Sequence, residues 1–253
     1  MNSAARILAI YEQVIGYPDR SGTQFIQLWI HVFKLSENDE DGATAALMAF
    51  RAEIELAKTK LIEQGVPEPL FYESFARIKG IASATLLNQE WASHKRSLPS
   101  DVLLGLQWAA WALPKEEDEL SAEELASLIS DLESLQESIE ASNLSMYVKD
   151  FVLRQIDLIR MALRQYRISG ISPVETALET TYGAIRRNSP ALTKQVENAS
   201  TEDKMLLKRF ETVLTKTAET AEKIDKVRKG GEVLAKISHV VGEAIGDVIN
   251  FLT

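Results

Sequence analysis

Glu37, Asp39 and Asp41 alternate ahead of Gly42, the spacing with which carboxylates enter a calcium loop. Setting Gly42 at loop position 6 puts them at positions 1, 3 and 5, but position 12 is then Met48, where the geometry needs a bidentate Glu. The segment therefore reads as an acidic helix start, favoured by the helix dipole. Arg160, Arg164 and Arg167 share one helix face by their 4 and 3 spacing. They suit either capture of an anion or pairing with the acidic stretch 121–140, and the opposite sign of that neighbour favours pairing. Arg186 and Arg187 fall at a predicted helix end, where the dipole accounts for them. Trp108 and Trp111, one turn apart, suit core packing or the wall of a peptide groove, and core packing is the expectation, as it is for Trp29 and Trp91. His31 and His239 have apolar neighbours and read as structural, whereas His94, beside Lys95 and Arg96, reads as solvated.

The C-terminal stretch holds the main candidate interaction face. Val233, Leu234, Ile237, Val240, Val241, Ala244, Ile245, Val248, Ile249 and Leu252 form a wide apolar side at helical spacing, with Glu232, Lys236, Glu243, Asp247 and Asn250 opposite. Gly242 and Gly246 form a G-x-x-x-G, which lets two helix backbones approach closely. Three readings stay open: docking on its own domain, pairing with another chain, or entry into a membrane after a trigger. The acidic balance of 230–253 opposes attraction to anionic lipid, and Lys226, Arg228 and Lys229 just upstream partly restore it. Gly230-Gly231 supplies a hinge that each reading could use.

Other chemistry is excluded by type. No Gly is followed by Lys and no G-x-G occurs, which removes the Walker A loop and the dinucleotide turn. G-x-S-x-G and H-E-x-x-H are absent. The residues three before each His are Leu28, Trp91 and Lys236, so the E-x-x-H pairs of a di-iron bundle cannot be built. No His has the upstream Arg of a HEPN-type nuclease. An enzyme using scattered Asp and Glu is not touched by these negatives. No catalytic, metal-ligating or cofactor-binding residue is assigned, and no cofactor is expected.

These residues must be carried by helices. In 253 residues there are 12 Gly and 7 Pro, too few turn formers for many short strands. The absence of Cys rules out disulfides, thiol catalysis and Cys-ligated metals, and suits a reducing cytoplasm. Arg6 and Glu12 interrupt any signal-peptide core, and no run of about 18 apolar residues occurs. The net charge of −9 is concentrated: residues 115–140 hold Lys115 against ten acids, while 141–229 hold 16 basic and 11 acidic groups. That balance argues against nucleic acid, whose phosphates need clustered positive charge.

Apolar spacing predicts helices from Ser3 to Gly16, over Phe25–Leu35, from Gly42 to Gln64, from Leu70 to about His94, and over Ser100–Leu113, the last largely buried. Ser121 and Glu124 form a capping box before a seam of Leu125, Leu128, Leu132, Leu135 and Ile139. The break at 142–145 is short enough to fold the next helix (Val148, Val152, Ile156, Ile159, Leu163, Tyr166) back as an antiparallel hairpin over 121–168. Ser172 as cap and Pro173 start a helix expected to stop at Asn188, before Pro190. A charged helix over Thr201–Lys229 and the amphipathic one over Glu232–Leu252 complete the chain. The expectation is an all-α protein, a multi-helix bundle with a central antiparallel hairpin and a C-terminal helical arm. Its parts are 1–114, a helical domain; 115–188, the acidic linker, hairpin and following helix; and 189–253, the charged and amphipathic helices.

The run from Phe151 to Gly170 with the Pro-started helix to Tyr182-Gly183, and the opening Ile10-Tyr11-Glu12 followed by Leu28 to Phe33, resembles uncharacterised bacterial all-helical proteins. The likeness spans about a third of the chain at structural positions, carries over no active site, and implies a link to mobile or defence-related bacterial loci. The expected function is non-enzymatic: protein–protein interaction or regulation, with a protein partner or self-association through helices. The alternative is a membrane-damaging effector acting through the terminal amphipathic face.

Overall fold

The computed structural model describes residues 1–95, 98–197 and 199–225. Among them the chain forms ten α-helices and, beyond one isolated antiparallel bridge between Gln24 and Glu90, no β-structure. The fold is all-α, as the composition requires. The described residues divide into two compact units, one of residues up to 116 with 167–170, the other of 117–166 with those from 171 to 225.

The first unit holds α1 (Ser3–Gly16), α2 (Phe25–Val32), α3 (Glu40–Glu63), α4 (Tyr72–Ile81), α5 (Trp91–Lys95) and α6 (Asp101–Ala112). Helix α1 packs on α3 and α6, α2 on α3, and α4 on α6. Their buried faces meet in an aromatic-rich core that includes Ile7, Tyr11, Phe25, Trp29, Phe50 and Phe75. Helix ends are closed by local chemistry. The Asn2 side chain accepts from the Ala5 N–H (2.9 Å) and caps α1. Asp39 accepts from the Gly42 N–H (2.8 Å) and caps α3, which leaves a Cβ at Gly42 no room beside that carboxylate. Past α3, Gly65 takes φ +74°, the left-handed stop that the Gly before two prolines predicts.

The helix expected from Leu70 to His94 is not continuous. Helix α4 ends at Ile81, a 3-10 turn covers Ala84–Leu86, and α5 is a single short helix. Backbone pairing overrides the helical pattern here. Phe25 and Ile26 N–H groups donate to the Gln89 and Leu87 carbonyls (3.0 and 2.9 Å), and Trp91 N–H donates to Thr23 (2.8 Å). A helix running through 87–90 would spend those carbonyls on itself.

The second unit is built on α7 (Ala122–Ala141), α8 (Met146–Ser169), α9 (Ser172–Val196) and α10 (Thr201–Asp225). The capping box of Ser121 and Glu124 forms with both reciprocal bonds at 3.1 Å, and every residue of the α7 and α8 seams is buried in one core. Cross-helix bonds show an antiparallel four-helix bundle. Lys149 Nζ of α8 donates to the Glu140 carbonyl of α7 (3.0 Å), and Arg160 reaches Gln136. Tyr147 of α8 donates to Asn188 of α9 (3.0 Å). Lys216 of α10 pairs with Asp131 of α7 (2.6 Å), and Arg209 donates to Ser134 (3.0 Å). For α7 with α8 and for α7 with α10 one residue number rises as the other falls. The short link 170–171 with the Tyr147–Asn188 bond folds α9 back along α8. The 121–168 hairpin is thus observed, and α10 joins as the fourth helix.

Two boundaries differ from expectation. The N-cap of α9 is Ile171 and not Ser172, and its N–H is held by the Glu117 carboxylate (3.0 Å), an acidic residue acting from far along the chain. Helix α9 also runs through Pro190 to Val196. Proline removes one intrahelical bond, yet Ile185 before it and Leu192 and Val196 after it all bury in the bundle core, which outweighs that loss. Arg186 and Arg187 are therefore exposed mid-helix residues, and the dipole does not explain them.

Candidate functional site

Helix α6 is apolar over most of its circumference, with Asp101 and Gln107 the polar exceptions, and only one side of it packs in the core. Val102, Leu106 and Ala109 are buried, whereas Leu104 is 68% and Trp111 82% exposed, with Trp108 and Leu103 part-covered beside them. Spacings of 4 and 3 line up Leu104, Trp108 and Trp111 as a ridge along the helix. Single exposed apolar residues are ordinary, but an aligned set is the mark of a contact surface. Burying a side chain of this kind releases roughly 1.5–3 kcal/mol, which α6 leaves ungathered at Leu104 and Trp111. The expectation that 100–113 is largely buried, and that Trp111 is a core residue, is thus corrected. A helix apolar on every side is the signature of burial, and the sequence alone does not say whether its own chain or another provides the cover.

The ridge is held firmly. Asn2 Nδ2 donates to the Ala110 and Leu113 carbonyls (2.9 and 2.8 Å), satisfying acceptors that the helix end leaves open. At mid-helix, a Cβ on Gly105 would stand 2.1 Å from Ser74 Oγ and 2.9 Å from its Cβ, so the glycine is what lets α4 and α6 approach. Asp101 is the only charged residue within α6, and Lys115 follows past its end.

The other concentration of chemistry in this unit is buried and ionic. Arg6 Nε and Nη2 both donate to Glu53 Oε1 (2.9 and 2.7 Å), and Arg6 also pairs with Glu116 (3.4 Å). Lys60 holds the same Glu116 at 2.8 Å, and Ser3 Oγ approaches it at 3.5 Å. Burial raises the Glu53 carboxyl above its ordinary value, opposed by the adjoining Arg6 charge. Two carboxylates set against two cations neutralise each other, and the arrangement ties α1, α3 and Glu116 together. Sequence reading missed it because Arg6 and Glu53 lie far apart on two helices with no motif between them.

The remaining sequence candidates separate. Asp39 caps α3, the helix-start role read for the acidic loop; among the described residues no group of three or more His, Asp or Glu is placed to hold a metal. In the Arg set, Arg160 pairs with Asp157 and Gln136, and Arg164 stands 3.9 Å from Glu133. Only Arg164 meets an acid of the acidic helix; Arg160 forms its ion pair within α8 and reaches α7 through the neutral Gln136. Trp29 and Trp91 are fully buried, with no partner for either indole N–H. His31 is exposed, not enclosed, its ring 5.0 Å from that of Tyr17. His94 is half-buried against Phe25 (5.0 Å between rings) and not simply solvated. His239 and the predicted interaction residues Leu234, Ile237, Val241, Gly242, Ile245, Gly246, Val248, Ile249 and Leu252 lie outside the described residues. Among those that are described, no helix is long and apolar enough to cross a membrane.

Compared with protein-family models, with curated proteins and with solved structures, the chain matches none.

Proposed function

We propose that this chain is a protein–protein interaction or regulatory protein, acting by presenting a helix face and not by transforming a substrate. The observation that carries this reading is the Leu104–Trp108–Trp111 ridge on α6, whose two end residues stand largely in solvent. Interfaces draw their energy from a few large apolar anchors, Trp above all, packed in a desolvated centre. A ridge mounted on a helix pinned by Asn2 and fitted against α4 loses little freedom on binding, which favours affinity.

The test is a comparison of captures. The wild-type chain, a Trp111→Glu variant and a control changed at an exposed polar site of the same unit (Glu63→Gln) are used as bait under native conditions, and binding of a recovered species is then measured in purified form. The expected result is a species bound by wild type and control and weakened at least tenfold by Trp111→Glu, with unchanged far-ultraviolet circular dichroism in all three. Indifference of every bound species, further copies of the chain included, to Trp111→Glu would sink the reading.

A further inference from the structure

The ridge is close to its own complement, and this deepens the reading of α6 as the interaction face, on which it rests. We propose that its partner is a second copy of this chain, docked across a two-fold axis with the two α6 helices antiparallel. An antiparallel pairing centred between Gln107 and Trp108 sets Leu104 of each copy against Trp111 of the other and brings the two Trp108 rings side by side at the axis. The same register is complementary in charge. Asp101 opens α6 and Lys115 follows its end, so the two-fold brings Asp101 of one copy to the Lys115 end of the other, twice. A parallel pairing would set Asp101 against Asp101 and Lys115 against Lys115. Between those ends the helix carries no charge, so nothing on the ridge calls for a partner of a different charge pattern. A two-fold interface uses one patch on both subunits, which a ridge of this kind satisfies.

The size of the patch sets the strength. Aromatic side chains bury about 150–250 Å² each. With both copies contributing Leu104, Trp108 and Trp111, the ridge covers on the order of 800 Å², below the ~1,200 Å² of standard stable interfaces. The patch is therefore in the size class of weak, readily exchanging complexes.

Sedimentation of the full chain across about 1–200 μM is expected to show a monomer–dimer equilibrium, with Trp111→Glu weakening it at least tenfold and leaving the circular dichroism unchanged. Because the chain has no Cys, a single introduced thiol reads the register. Gln107→Cys lies beside the axis and is expected to cross-link the dimer under mild oxidation, whereas Asp101→Cys, two turns away from the axis, is not. Cross-linking of Asp101→Cys as readily as Gln107→Cys would overturn the antiparallel arrangement. A monomer at every concentration with no cross-linking at either site overturns the dimer. In that case, Trp111-dependent binding of a different protein leaves the interaction reading standing, and its absence removes that reading too. If the full chain stays monomeric while a chain ending at Asp225 dimerises, the C-terminal segment is the cover, and the second copy is again overturned.

Discussion

The two units bury their apolar residues by different rules. In the four-helix bundle each helix is apolar along one stripe, and the stripe is used up by the core. Ion pairs such as Lys216 with Asp131 lie at the surface, while the buried carboxylates Glu117 and Asp203 accept from backbone N–H groups. In the first unit a predominantly apolar helix, α6, is only half used, and a charged pair, Arg6 with Glu53, is placed inside. Periodic amphipathic helices specify their own packing. A unit that departs from that economy has spent apolar surface, and a desolvated ion pair, on something the core alone does not demand.

The contrast is broken most severely at Arg6. Arg6→Met is expected to destabilise the first unit by about 3–5 kcal/mol at neutral pH, because Glu53 is left charged and buried without its cation. Hydrogen exchange resolved by segment should show α1 and α3 losing protection while α7–α10 keep theirs. The loss should shrink as pH falls and Glu53 takes up a proton.

A second expectation concerns pH in the wild-type chain. Glu53 has a raised value in the folded state, so the folded unit binds a proton that the unfolded chain has released. Its contribution is fully present below the ordinary glutamate value and is lost as pH rises through the raised one. Half-buried Glu211 of α10 is raised as well, mainly by desolvation, so the difference between wild type and Glu53→Gln isolates the first unit. Thermal unfolding across the weakly acidic range is expected to depend less on pH in Glu53→Gln; an identical slope in both would contradict the assignment.

Smaller effects belong to the bundle. Thr181 is 1% exposed, and its hydroxyl has no hydrogen-bond partner. Thr181→Val keeps the shape and removes an unsatisfied polar atom, so a gain of about 1 kcal/mol in denaturant unfolding is expected. Smallest of all, Asp131→Asn should cost about 0–1 kcal/mol, vanishing at high salt, since both partners of its ion pair are substantially exposed. A loss comparable to that of Arg6→Met would erase the distinction between the units.

Legibility follows the same division. The seams from Leu125 to Ile139 and from Val148 to Tyr166 could be read directly, because a 3–4 repeat with a capping box states both the helix and its buried side. Residues 70–94 could not, since carbonyls at Leu87 and Gln89 are claimed by a segment sixty residues earlier. Pro190 misled because local propensity yields where apolar residues on both sides are buried. For α6 the helix and its apolar character are plain in the sequence, but hydrophobicity on most sides does not reveal which side stays open, and spacing alone places Trp111 in the interior.

Trp29, Trp91, Trp108 and Trp111 all precede residue 117. Indole emission is therefore a private reporter of the first unit, and the bundle is dark to it. Unfolding followed by fluorescence and by circular dichroism should give two curves that coincide only if the units melt together, so the wild-type chain carries its own gauge of coupling between them without a label.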